Sequence, residues 1–269
     1  MAVLMRSAVR VCLWFLLAAP AVSHAHKVWL LPSQTQLANA GGWITVDGAV
    51  SNDLFYYSWY PLQLDGLTIS APDGGALAAQ NNWRGKYRST FELELKQQGT
   101  HRIAVASGLL MAFYELGGEP QRWRGMPEDF ARAVPANAEN LEVSFDEFRI
   151  ETFVTVGRPT GLKSTGRGLE LDPVTHPNDL VAGEPATFRF LLDGKPAPDL
   201  AVTVVPGNTR YRDTQDEMTF KTDAKGEVTI RWPAAGMYWL EAAGQDEKSP
   251  VAQTRKRYVT YISTLEVLN

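Results

Sequence analysis

Histidine is the residue type here best able to hold a metal ion. The 269-residue chain carries four histidines, His24, His26, His101 and His176, and one cysteine, Cys12. Cleavage immediately before His26 would leave an α-amine and a ring nitrogen in one residue, a ready chelate. A second imidazole would complete a three-nitrogen brace of the kind Cu(II) and Ni(II) accept. His176 is the better second candidate, because it lies in a turn-rich segment beside Asp172 and Asp179, which can supply oxygens or orient the ring. His101 is a third candidate, but it flanks a strand whose alternation would bury it. Cleavage before His24 instead gives His-Ala-His, with histidine at position three. There the α-amine, two deprotonated amides and the imidazole can wrap the same ions in a square plane. Against all of these stands the ordinary role of a lone histidine as a surface or hydrogen-bonded structural residue.

Both cleavage frames follow from residues 1–25. Arg6 and Arg10 precede the apolar run Val11 to Ala19, and Pro20 and small residues follow, the order of a secretory signal. The run is shorter than the roughly 20 residues a bilayer span needs. Ser23-His24-Ala25 and Ala21-Val22-Ser23 both satisfy the small-residue rule, and Ala before the cut favours His26 as the new terminus. The expected product is periplasmic, with no transmembrane segment after cleavage. Processing removes Arg6, Arg10 and Cys12, so the 26 basic residues become 24 against 30 acids, net −6. That balance offers no footprint for nucleic acid. Without cysteine, disulfides, zinc–thiolate sites and cysteine nucleophiles are excluded. With 45% hydrophobic residues the chain can fold on a packed core alone.

The elements that must position these residues read as strands. Segments 43–50, 91–95, 102–105 and 151–156 alternate or are rich in β-branched residues, separated by turns such as Asp73-Gly74-Gly75 and Gly117-Gly118. One segment, 126–134, reads as a helix, with Pro127 in its first turn and Pro135 ending it. A Gly-, Pro- and Ser-rich stretch between Gly157 and Gly168 has no apolar periodicity and marks a boundary. Beyond it come strands at 186–192, 200–205, 227–232, 236–242 and 257–267. The reading is all-β, with two immunoglobulin-like or transthyretin-like β-sandwich domains, 26–160 and 168–269, and one short helix.

The second domain has a definite grammar. Gly194-Lys195-Pro196 sets a hairpin, Asp223 to Gly226 makes a tight turn, and Gly236 begins the strand carrying Tyr238. This resembles transthyretin-like and collagen-adhesin B-type modules, which implies fold but not function. His26-Lys27-Val28-Trp29-Leu30-Leu31-Pro32, Phe153 to Pro159, Leu169 to Leu180 and the second-domain grammar occur together along the mature chain. In that combination the chain resembles the NikM-like family of exported bacterial proteins. The resemblance implies a periplasmic accessory of nickel or cobalt uptake, with His26 carried over as the suspected ligand and a membrane metal-uptake system as its possible partner.

No serine-hydrolase elbow, Walker loop, zincin or dinucleotide fingerprint is present, and the chain reads as a non-enzyme without an organic cofactor. The leading expectation is a protein that binds or delivers Ni, Co or Cu through His26, with His176 and His101 as further candidates. The alternative is a metal-independent β-sandwich adaptor for a protein or glycan. Its face would be the aromatic run Phe55-Tyr56-Tyr57-Ser58-Trp59-Tyr60, half of which alternation would place in the core. Asp213, Asp216 and Glu217 read as a solvated loop, and Arg255-Lys256-Arg257 as an exposed basic strand start.

Overall fold

The computed structural model describes residues 26–269; the leader read over 1–25, with Cys12 and His24, lies outside the described residues. Strands dominate, in three sheets. The first contains β1 (Lys27–Pro32), β3 (Gly42–Ser51), β7 (Ser89–Leu95) and the edge strand β6 (Gln80–Arg84), with β4 (Tyr60–Pro61) added to β3. The third is small: β11 (Leu169–Pro173), β12 (Pro185–Leu192), β13 (Lys195–Pro196) and β16 (Glu227–Arg231).

Between them runs a nine-stranded sheet that draws on both halves of the chain. Its order is β15 (Met218–Lys221), β14 (Ala201–Pro206), β17 (Gly236–Asp246), β18 (Arg257–Val267), β10 (Glu139–Val156), β8 (Gly99–Leu116) and β5 (Leu67–Ser70). β2 (Gln36–Leu37) joins β10, and β9 (Glu119–Gly125) joins β8. β10 and β18 pair in parallel, from Phe145↔Arg257 to Thr152↔Thr264. The two expected sandwich units therefore share one sheet through this seam.

Alternation explains how one sheet serves two cores. Side chains at successive strand positions point to opposite faces. On the seam, Ile150, Val154 and Ile262 face a core with Trp29, Leu30, Ile44, Phe91 and Leu93 of the first sheet. Phe153, Val259, Tyr261 and Leu265 face the other core, with Phe188, Phe190, Ile230 and Trp232 of the third. The first and third sheets thus cover opposite faces of the central one. Full burial of a side chain of this size stabilises by roughly 1.5–3 kcal/mol, so both cores hold without disulfides.

Where the third sheet does not reach, its face of β8 and β10 is covered by the Gly-rich 157–168 segment. The segment is irregular as expected. It is not a loose tether. Arg102 donates to the Lys163 carbonyl at 2.9 Å, and Thr160 and Thr100 exchange hydrogen bonds at 2.9 and 3.1 Å.

Several sequence expectations change in detail. The strands read at 102–105 and 151–156 are parts of 18-residue strands, β8 and β10. The helix read at 126–134 is a 3-10 turn, Pro127–Asp129, followed by a single α turn, Phe130–Ala133, between β9 and β10. Phe55 to Trp59 form a loop rather than an alternating strand, with Phe55 at φ 64°. The expected hairpin at Asp193-Gly194 is present, both residues at positive φ (51° and 74°) as a tight two-residue turn requires.

Candidate functional site

His26 directly precedes β1, and the antiparallel register Lys27↔Ser51 places it across from Asn52. Its Nδ1 lies 2.5 Å from Asn52 Oδ1. An amide oxygen only accepts, so this contact puts the ring proton on Nδ1 and the lone pair on Nε2. The ring stacks on Trp59, centroids 4.1 Å apart and planes 27° apart, and the residue remains exposed.

The shelf beneath it is assembled from both halves of the chain. Trp29, fully buried, takes Phe55 and Tyr57 against its ring. The Leu54 amide donates to Thr209 Oγ1 at 3.1 Å, and Tyr56 meets Tyr211 edge-on with Arg210 over its ring. Trp239 Nε1 donates to the Val28 carbonyl at 2.9 Å, which ties β1 to β17. Behind His26, Lys27 donates to Gln215 Oε1 at 2.6 Å and lies over Trp239. Burial lowers the Lys27 ammonium below its ordinary range, against the pull of Glu217 and Glu241. Burial likewise raises the Glu241 carboxyl, with Lys27 opposing. Both shifts run against the charged forms, as burial requires.

The other two histidines sit elsewhere. His176 is half-buried; its Nδ1 accepts from the Asn178 amide at 3.1 Å, and its Nε2 lies 3.0 Å from Thr100 Oγ1. Asn178 in turn donates to the carbonyls of Thr35 and Phe153. Thr35 lies beyond the far end of β1, so about 20 Å of strand separates His176 from His26, at ~3.3 Å per residue. The three-nitrogen brace of His26 and His176 therefore does not form. Of the two acids expected beside His176, Asp172 is engaged by Arg189 at 2.5 Å, while Asp179 acts on the ring only through its charge.

His101 follows Thr100 directly, but alternation turns it to the opposite face, into the core with Ile103 and Val154. It is wholly buried, and neither ring nitrogen has a hydrogen-bond partner. Burial lowers its pKa, with the Val154 and Gly99 backbone and Asp73 opposing. The ring is a core residue. Among the described residues no three His, Cys, Asp or Glu side chains converge to hold a metal ion. At the His26 end the donors are its ring and Asn52 Oδ1.

Sequence reasoning missed Asn52 and Trp59 as partners of His26. Only the β1–β3 register and the loop path bring them there, and neither leaves a periodic signal. It also misplaced Arg257. That guanidinium is 3% exposed and bonded to Asp246 at 2.6 Å, Asp193 at 2.7 Å and Glu147 at 3.3 Å. Asp216 pairs with Arg212 at 2.8 Å, as an exposed loop allows.

Among known proteins, no curated sequence matches. Solved structures that align include the D0-D1 domain of intimin, 14% identical, covering 89% of this chain and 97% of that one, with a TM-score of 0.21. The human OSCAR ligand-binding domain is 14% identical over 90% of this chain and 99% of its own, with a TM-score of 0.20. At such scores the fold description rests on the sheets themselves. The match that carries weight is to a domain of unknown function over residues 23–246, and the chain belongs to that family, DUF4198.

Proposed function

We propose that this DUF4198 protein is an exported, non-enzymatic β-protein that binds a divalent transition metal as cargo, Ni, Co or Cu, at its processed N-terminus. His26 is the principal ligand, and the metal is presented to a membrane uptake system. The observation that carries this reading is the placement of His26. It directly precedes a strand locked into the first sheet, its ring stacks on Trp59, and the residue is exposed.

The donors gathered at this end suit a chelate. An α-amine and Nδ1 of one residue close a favourable ring around Cu(II) or Ni(II). For Nδ1 to ligate, its proton moves to Nε2, and the α-amine must give up its ammonium proton, so affinity rises with pH. Asn52, within hydrogen-bond reach of Nδ1, orients the ring beforehand and can add its oxygen afterwards. An exposed, incomplete coordination sphere suits hand-off better than storage.

Calorimetric titration of the processed protein with Ni(II), Co(II) and Cu(II), after its N-terminus is verified by mass spectrometry, tests this. One equivalent should bind, and His26→Ala should weaken binding at least tenfold. Equal affinity in the variant overturns the assignment. Two residues added before His26 should weaken binding similarly if the α-amine is a ligand.

A second reading, metal-independent adaptor binding of a protein or glycan, is favoured by the same shelf. Trp59 and Tyr60 are each 47% exposed and Tyr211 76%. A partner retained in chelator but lost on Trp59→Ala or Tyr56→Ala would select it.

A further inference from the structure

The tip of Lys27 meets an amide and an indole rather than a carboxylate. Its Nζ stands 2.6 Å from Gln215 Oε1 and 5.4 Å from the centre of the Trp239 ring, while Glu217 and Glu241 act on it only through their charge. The side chain is half-buried, as is that of Glu241. Burial lowers the pKa of the amine and raises that of the Glu241 carboxyl. Both effects increase the share of an uncharged amine near a protonated acid, the pairing that lets an amine attack a carbonyl.

Lys27 and Gln215 stand on fixed backbone, one from each half of the chain. Lys27 begins β1, paired with Ser51 of β3, and the next residue is tied to the central sheet by the Trp239 bond to the Val28 carbonyl at 2.9 Å. Gln215 lies in the loop between β14 and β15. Arg212 closes that loop: it donates to the carbonyls of Pro206, Gly207 and Gln215 at 2.5 to 3.1 Å and pairs with Asp216 at 2.8 Å. A planar guanidinium with so many acceptors holds the loop in one shape. The Gln215 amide is thereby delivered to Lys27 without a search by either segment, which removes much of the entropic barrier to a reaction between them.

We infer that Lys27 and Gln215 are the two ends of an intramolecular isopeptide bond, formed in the folded protein with release of ammonia and with Glu241 as the proton carrier. The carbonyl carbon lies about 1.2 Å from the oxygen that Nζ already touches, so the amine has only a short slide to make. The Nζ lone pair forms the new bond to Cδ of Gln215, and the Cδ–Nε2 bond breaks. Glu241 passes its proton to the departing nitrogen and takes the one the amine gives up. One secondary amide and one ammonia result, and nothing is oxidised or reduced. The bond spans 188 positions of sequence and constrains the unfolded chain as a disulfide would, in a protein with no cysteine among its described residues.

The inference is independent of metal binding and is tested apart from it, by intact mass and peptide mapping of the purified protein in chelator once its N-terminus has been sequenced. The protein should be lighter than its sequence by one ammonia, and digestion should yield one branched peptide containing Lys27 and Gln215. Lys27→Arg and Gln215→Ala should each have the full mass of their sequences and a lower melting temperature. Glu241→Gln, sampled through the hours after expression, should join about 100-fold more slowly with unchanged circular dichroism. The map of the parent protein decides even where a variant fails to fold. Lys27 and Gln215 recovered in separate peptides from a protein of full mass overturn the proposal, as does conversion of Gln215 to glutamate or an ammonia loss that maps to other residues. Joining as fast in Glu241→Gln as in the parent overturns the part given to Glu241.

Discussion

His101 is the residue whose environment departs furthest from its chemistry. An imidazole without a partner inside an apolar core has to stay neutral. Its folded pKa is lowered from 6.5 by burial, and that of His176 is lowered in the same way, with the Thr160 backbone and Asp179 opposing. A group with a depressed folded pKa takes up its proton more readily when unfolded. The stability it contributes is therefore complete above about pH 6.5 and is lost as pH falls from there towards the folded value. Melting temperatures recorded between pH 8 and pH 5 should fall on the acid side, and His101→Leu should flatten that fall while leaving the pH 8 value nearly unchanged. A variant as acid-sensitive as the parent would contradict this. Alternation in the sequence already indicated that His101 would be buried. The missing partners were not legible, because they depend on which backbone groups the two neighbouring strands have already used.

The 157–168 segment shows the same limit at the scale of an element. Its composition marked it as irregular, and it is. What pins it is Glu170, 1% exposed, which accepts from the Ser164 and Thr165 hydroxyls and the Thr165 and Gly166 amides at 2.6 to 3.1 Å. Burial pushes this carboxyl up, but the Ser164 and Thr165 bonds outweigh it and leave the pKa lowered. Glu170→Gln removes the charge and two acceptor positions and should cost about 2–4 kcal/mol. Trypsin should then cut after Lys163 or Arg167 well before the rest of the fold; unchanged resistance would show that the carboxylate does not hold the segment. Strand periods were readable because period two survives in sequence, whereas a carboxylate bonding four to six residues back leaves no pattern. At Gly226, φ 73° and a would-be Cβ 2.6 Å from the Phe190 carbonyl oxygen leave room only for glycine. Gly226→Ala should destabilise by more than about 1 kcal/mol in urea unfolding, and a neutral result would mean the turn relaxes.

Across the whole molecule, the seam between β10 and β18 makes the two cores interdependent, because each seam strand contributes to both. Arg257 fastens that seam, joining β18 to Glu147 of β10, Asp246 of β17 and Asp193 of the β12–β13 turn. Calorimetric unfolding should show one transition, and Arg257→Ala should lower stability by about 1–3 kcal/mol by removing the charged hydrogen bonds to three partly exposed carboxylates. Two separated transitions would mean the halves are energetically independent. The sequence carried the strand content, the second-domain turns and the position of His26, but not the shared sheet, since parallel pairing between distant strands has no local signature. β1 of the first sheet, tied to the shared sheet by the Trp239 bond to the Val28 carbonyl, has His26 at one end and His176 near the other. The most direct test is a heteronuclear NMR titration of the processed protein with Cu(II). Paramagnetic broadening at one equivalent should erase the signals of His26, Asn52 and Trp59 and spare those of His101 and His176. Broadening centred on His176, or none at stoichiometric metal, would contradict a metal site at the N-terminus.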